Sequence, residues 1–262
     1  MHLEQLHQQF PSARRVRRRA VILLAGLVAG TALGGDAFAV DQTFNVTLVS
    51  QVDPLPFSTS QYYGDIWVDG NYAYLGTDKN GGGVSILDIS VPSAPTFIRN
   101  PLNPSGPVTM PTYAGDQMED VEVYNGIGYF SSDVSTVSGT GVDIVDLSDP
   151  TNPVMISRIN DAVNGHNKVH TLSYNDSFLY TTDNATDTVK VFDVSDSGNP
   201  VFKWTVDLGL SEGIGNGPAS HEVVVKNGRM FVASKDNSSS SFSSGTTTIY
   251  DVSNVGSTAP AL

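Results

Sequence analysis

The chain has 262 residues, 39% of them hydrophobic, with 25 glycines, 14 prolines and no cysteine. That is enough apolar material for a substantial core and too many turn formers for a protein of long helices, and the missing cysteines exclude a disulfide framework or a thiolate metal site. Fourteen basic residues stand against 27 acidic ones, a net charge of −13, which opposes binding to nucleic acid or to an anionic membrane.

Residues 1–39 read as a secretory signal peptide. The basic run "RRVRRR" precedes the apolar run "AVILLAGLVAG", and "AFA" at Ala37 to Ala39 supplies the small-x-small ending. Cleavage is predicted after Ala39, with an uncleaved signal anchor as the alternative. The apolar run is short for a membrane span, so no stable span is expected after cleavage. The leader holds five of the basic and two of the acidic residues, which leaves 9 against 25 from Val40 onward, a net of −16. The predicted location is extracellular, with the periplasm and the cell surface as variants.

Beyond the leader, residues 44–53, "FNVTLVSQVD", alternate like one solitary strand. Then a unit of roughly fifty residues recurs four times, over about 62–102, 119–160, 168–208 and 220–254. Each opens with a hairpin pattern: "DIWVDGNYAYLGTD", "DVEVYNGIGYFSSD", "HTLSYNDSFLYTTD" and "EVVVKNGRMFVASKD". Asp69-Gly70, Asn125-Gly126 and Asn227-Gly228 suit the left-handed angles of tight turns, with Asn175-Asp176 a weaker version. A third strand follows as "GVSILDIS", "GVDIVDLS", "TVKVFDVS" or "TTIYDVS", and a Pro-rich turn leads the first three units into a fourth strand. The last unit lacks its fourth strand. Residues 44–53 match that missing piece, so the expectation is an all-β, four-bladed β-propeller whose last blade is completed by the N-terminal strand. Ring closure removes strand edges that invite aggregation. Four blades is the low end of the propeller range, which leaves open a longer ring of which this chain is a part.

The segments "SILDIS-VPSAP", "DIVDLSDPTNPV" and "KVFDVSDSGNPV" resemble LVIVD repeats, the β-propeller units of many secreted and surface-associated proteins. The resemblance covers most of residues 62–254. It implies the propeller fold and an extracellular setting and says little about chemistry.

Asp88, Asp146, Asp193 and Asp251 recur where the third strand meets its turn, and a carboxylate there can accept turn amides, so their expected role is structural. The innermost strand of each blade is the better place for function. Aligning the hairpins sets Asp65, Asp120, His170 and Glu222 at equivalent positions, with Glu119 and His221 beside them, as a ring at the channel mouth. Three roles compete for the ring. It can be a hydrogen-bonded lining of a water-filled pore; it can be a divalent cation site using His166, His170 and His221 with Asp120 or Glu222; or it can supply general acid–base catalysis by His170 or His221. Enzyme or not therefore stays open at this point.

Two long connections, residues 100–119 and 207–220, run toward inner strands and suit capture of an extracellular protein or carbohydrate. On that basis a monomeric binding scaffold is the leading expectation, with a metal-dependent enzyme and a structural assembly protein as alternatives. Asn45, Asn175, Asn184 and Asn237 fit the N-glycosylation pattern.

Overall fold

The structure is a computed structural model. It describes residues 47–52, 63–77, 83–98, 118–133, 141–166, 168–183, 186, 188–208, 218–236 and 245–261. The predicted leader with its cleavage point falls outside them.

The described residues form an all-β, four-bladed β-propeller. Blade 1 holds β1 (Tyr63–Asp69), β2 (Tyr72–Thr77), β3 (Val84–Asp88) and β4 (Thr96–Ile98). Blade 2 holds β5 (Met118–Tyr124), β6 (Ile127–Ser132), β7 (Val142–Asp146) and β8 (Val154–Ile159). Blade 3 holds β9 (Leu172–Asn175), β10 (Phe178–Thr181), β11 (Thr188–Asp193) and β12 (Val201–Asp207). Blade 4 holds β13 (Pro218–Lys226), β14 (Arg229–Asp236) and β15 (Gly245–Asp251). Each blade is an antiparallel meander in chain order.

Turn chemistry sets the first hairpin of each blade. Asn125 and Gly126, and likewise Asn227 and Gly228, take positive φ at both central positions, the type I′ pattern that matches strand twist. In blade 3 the central pair is Asp176-Ser177, both at positive φ, because Asn175 pairs with Phe178. In blade 1 it is Gly70-Asn71, between the paired Asp69 and Tyr72, and only Gly70 has positive φ. Both turns therefore sit one residue later than the sequence pattern suggests.

Stacking of the blades supplies the core. Both sheet faces carry apolar side chains, and three apolar layers lie between consecutive blades. Tyr74 and Ile86 of blade 1 meet Val121 and Phe130 of blade 2. Tyr129 and Ile144 meet Leu172 and Phe192 of blade 3, and Tyr180 and Val191 meet Val223 and Met230 of blade 4. Each such side chain contributes about 1.5–3 kcal/mol on leaving water. Polar ties cross the same seams, with Trp67 Nε1 donating to the Val123 carbonyl at 2.8 Å and Trp204 Nε1 to the Val255 carbonyl at 2.7 Å.

Among the described residues no strand from the N-terminal segment joins the last blade. Residues 44–46 and 53 lie outside the described residues, and residues 47–52 have no ladder partner among them; Ser50 Oγ instead donates to the Pro92 carbonyl at 2.6 Å, on blade 1. Blade 4 is a three-stranded sheet. The lower end of its outer edge is taken by the chain's own tail, with Asp251 N–H donating to the Ala261 carbonyl at 2.6 Å and Ala261 N–H returning at 3.3 Å.

Candidate metal centre at the channel mouth

The inner strands β1, β5, β9 and β13 line one cavity of about 940 Å³. Near its mouth the pairing of inner strand with second strand is interrupted: between Tyr63 and Ile66, between Met118 and Val121, and between Ser220 and Glu222. In blade 3 Thr182 does equivalent work, its carbonyl accepting from His170 N–H and its N–H donating to the Thr171 carbonyl. These bulges re-aim side chains and so build the rim.

They also fix the true register. The residues before Ile66, Val121, Leu172 and Val223 are Asp65, Asp120, Thr171 and Glu222, and one step earlier stand Gly64, Glu119, His170 and His221. His170 thus belongs with Glu119 and His221 rather than with Asp120 and Glu222. The blade 3 counterpart of those acids is Thr171, whose hydroxyl donates to the His221 carbonyl at 2.9 Å. Gly64 has no side chain at the rim because a Cβ there would lie 2.8 Å from the Met118 carbonyl oxygen.

Three side chains converge at this level: Glu119, Asp133 and His170 each place one ligand-type atom within 4.8 Å of the others. Asp133 follows β6, at the far end of that strand from the hairpin. Its Oδ2 lies 3.1 Å from His170 Nδ1 and its Oδ1 lies 3.0 Å from Lys168 Nζ, although no aligned hydrogen bond reaches Oδ1. The His221 ring meets the His170 ring edge-on, centroids 4.7 Å apart. One imidazole and two carboxylates are a donor set that suits zinc, manganese or iron.

The other predicted ligands are placed differently. His166 is buried on the blade 2–3 connection, its Nδ1 3.1 Å from Asp183 Oδ2. It joins no metal-type cluster among the described residues. Its spacing of four from His170 does not place the two rings in one cluster. Asp120 is buried and accepts Leu172 N–H at 2.7 Å, while Glu122 accepts Tyr174 N–H at 2.6 Å. These two carboxyls tie blade 2 to the backbone of blade 3. Burial drives the Asp120 carboxyl well above the usual carboxylate range and raises Glu122 to about 8. Glu222 is raised as well, again chiefly by loss of water, with the nearby His170 pulling the other way. Asp65, Glu119, His170, His221 and Glu222 all line the cavity.

Away from the mouth, Asp88, Asp146, Asp193 and Asp251 each accept the N–H of the serine two residues on, at 2.8–3.0 Å. The hydroxyl and N–H of that serine together hold the carboxyls below their ordinary range. Of the glycosylation motifs only Asn175 is described, and its side-chain amide donates to Asp176 at 2.9 Å. Asn45, Asn184 and Asn237 fall outside the described residues, as does most of the two long connections.

The LVIVD repeat family matches over residues 62–101 and 136–161, which contain strands of blades 1 and 2. These two segments are LVIVD repeats. The same meander continues through blades 3 and 4. No curated protein matches the chain. Among solved structures it is similar to the computationally designed Ika8 protein, with 12% identity over 74% of this chain and a TM-score of 0.47. The chain spans 46% of the length of that protein. It is also similar to the glutaminyl cyclase of Myxococcus xanthus, with 15% identity, 67% of this chain and 69% of that one covered, and a TM-score of 0.41.

Proposed function

We propose that the channel mouth binds a divalent transition metal through Glu119, Asp133 and His170, and that the chain is a metal-dependent enzyme acting on a small polar substrate admitted by the channel. The carrying observation is the convergence of one imidazole and two carboxylates within 4.8 Å. Three protein ligands leave coordination positions open, and a metal so held supplies an acidified water or a polarised carbonyl. Lys168 neutralises Asp133 while no cation is bound and, being partly exposed, can turn to solvent when one enters. Glu222 lines the same cavity, and its raised carboxyl keeps a proton to higher pH than usual, which suits a general acid. The leader pattern and the strong negative charge support a site of action outside the cell, and no described helix is long and apolar enough to cross a membrane.

Calorimetric titration of the untagged protein with zinc and with manganese tests the reading. One site per chain is expected, weakened at least about 100-fold by Asp133→Asn or His170→Ala. Equal affinity in wild type and both variants sinks it.

A further inference from the structure

Equivalent positions of the repeat are treated differently in blade 4. On β2, β6 and β10 the aromatic that faces the next blade is Tyr74, Tyr129 or Tyr180, exposed by 2%, 3% and 0%; its blade 4 equivalent, Phe231, is 38% exposed. On the third strand Ile86, Ile144 and Val191 are all at 0%, and Ile249 is at 50%. Phe231 pairs with Val224 on one side and Ile249 on the other, so the three form an apolar row across the sheet. The mirror situation holds at the start of the ring. Val121, Leu172 and Val223 are buried against the preceding blade, whereas their blade 1 equivalent, Ile66, is 57% exposed and Val68 is 55% exposed. Among the described residues no apolar cluster joins blade 4 to blade 1.

A third vacancy belongs to the same place. Above the Ala261 bridge, β15 has no outer strand among the described residues, and residues 47–52 have the composition of one but no ladder partner. Leu48 and Val49 are exposed, and the segment is held to blade 1 by the Ser50 contact.

We infer that the occupant is a second copy of this chain: residues 47–52 of one copy pair with β15 of the other, and blade 1 of the incoming copy covers Phe231 and Ile249. The contact repeats the interblade packing that the chain already makes three times within itself. Both halves of the interface are present on every copy, so two copies exchanging them reciprocally satisfy all four open halves. Main-chain pairing along an exposed edge, with alternate side chains entering the neighbouring layer, is an established mode of association. The inferred dimer departs from the sequence expectation of a monomer.

Sedimentation velocity of the intact chain at physiological ionic strength, where surface repulsion is screened beyond about 8 Å, is expected to give twice the chain mass. Phe231→Glu sets a charge in the apolar layer and is expected to weaken the dimer at least about tenfold. Replacing residues 47–52 with a Gly-Ser run of equal length is expected to do the same. Far-UV circular dichroism and melting report folding, and Ile249→Lys substitutes for Phe231→Glu if that variant melts early. A monomer in wild type up to about 100 µM overturns the inference. A dimer that survives, in a folded protein, either the face substitution or the segment replacement overturns it equally.

Discussion

Asp133 lies between a lysine ammonium and an imidazole, and that placement makes it the residue on which the metal reading turns. Glu122 presents the opposite situation, a carboxyl kept protonated by burial. Its pKa of about 8 lies above the 4.5 of an unburied glutamate. Between those values the folded chain holds a proton that the unfolded chain has released, so stability falls as pH rises through that window. Glu122→Gln keeps an acceptor for Tyr174 N–H and removes the ionisation. It should leave the melting temperature unchanged at pH 4 and raise it by roughly 5 °C at pH 9, as read by calorimetry. An equal shift at both pH values would mean that the carboxyl ionises normally. The ring residues were legible in the sequence because the inner strand repeats, but the register slipped by one at His170, since a bulge leaves no mark in residue type. Asp133 was also present in the pattern, at the end of "FSSD", and "TTD" and "SKD" end alike. Its place at the rim is not legible from the inner-strand pattern, because it sits at the end of the second strand, which folds back beside the inner one.

At the scale of elements, the third strand of blade 2 is launched by Gly141, at φ 118°. A Cβ there would collide with the Ile159 carbonyl and lie 2.8 Å from that of His166. Gly141→Ala should therefore cost about 2 kcal/mol or more, measured by urea unfolding, through strain and displaced backbone together. Substitution of Gly70, around which a Cβ meets nothing within 4 Å, should cost less despite its positive φ. The four-strand meander was legible because hydrophobic alternation, turn residues and the recurring Asp-x-Ser ending agree with one another. The pairing of residues 47–52 is less legible. A strand-like N-terminal segment satisfies the pattern of an outer strand wherever it lies, and pairing partners depend on distant geometry that alternation does not encode.

For the whole molecule, among the described residues blades 2 and 3 are each buried on both faces, and blades 1 and 4 on one face each. Stability in stacked repeats is dominated by nearest-neighbour contacts, so the two end blades open more readily than the inner ones. In monomeric Phe231→Glu protein, hydrogen exchange followed by mass spectrometry should show β13–β15 exchanging at least about tenfold faster than β5–β7. Uniform protection would indicate that blade 4 has a second neighbour. The propeller supplies the scaffold, and the proposed metal site lies at its rim. The most direct test of that chemistry is a crystal of the zinc-soaked protein measured on both sides of the zinc absorption edge. The account predicts an anomalous peak bounded by Glu119, Asp133 and His170, with His221 alongside. A peak at His166 and Asp183 instead, or none within the channel mouth, would contradict it.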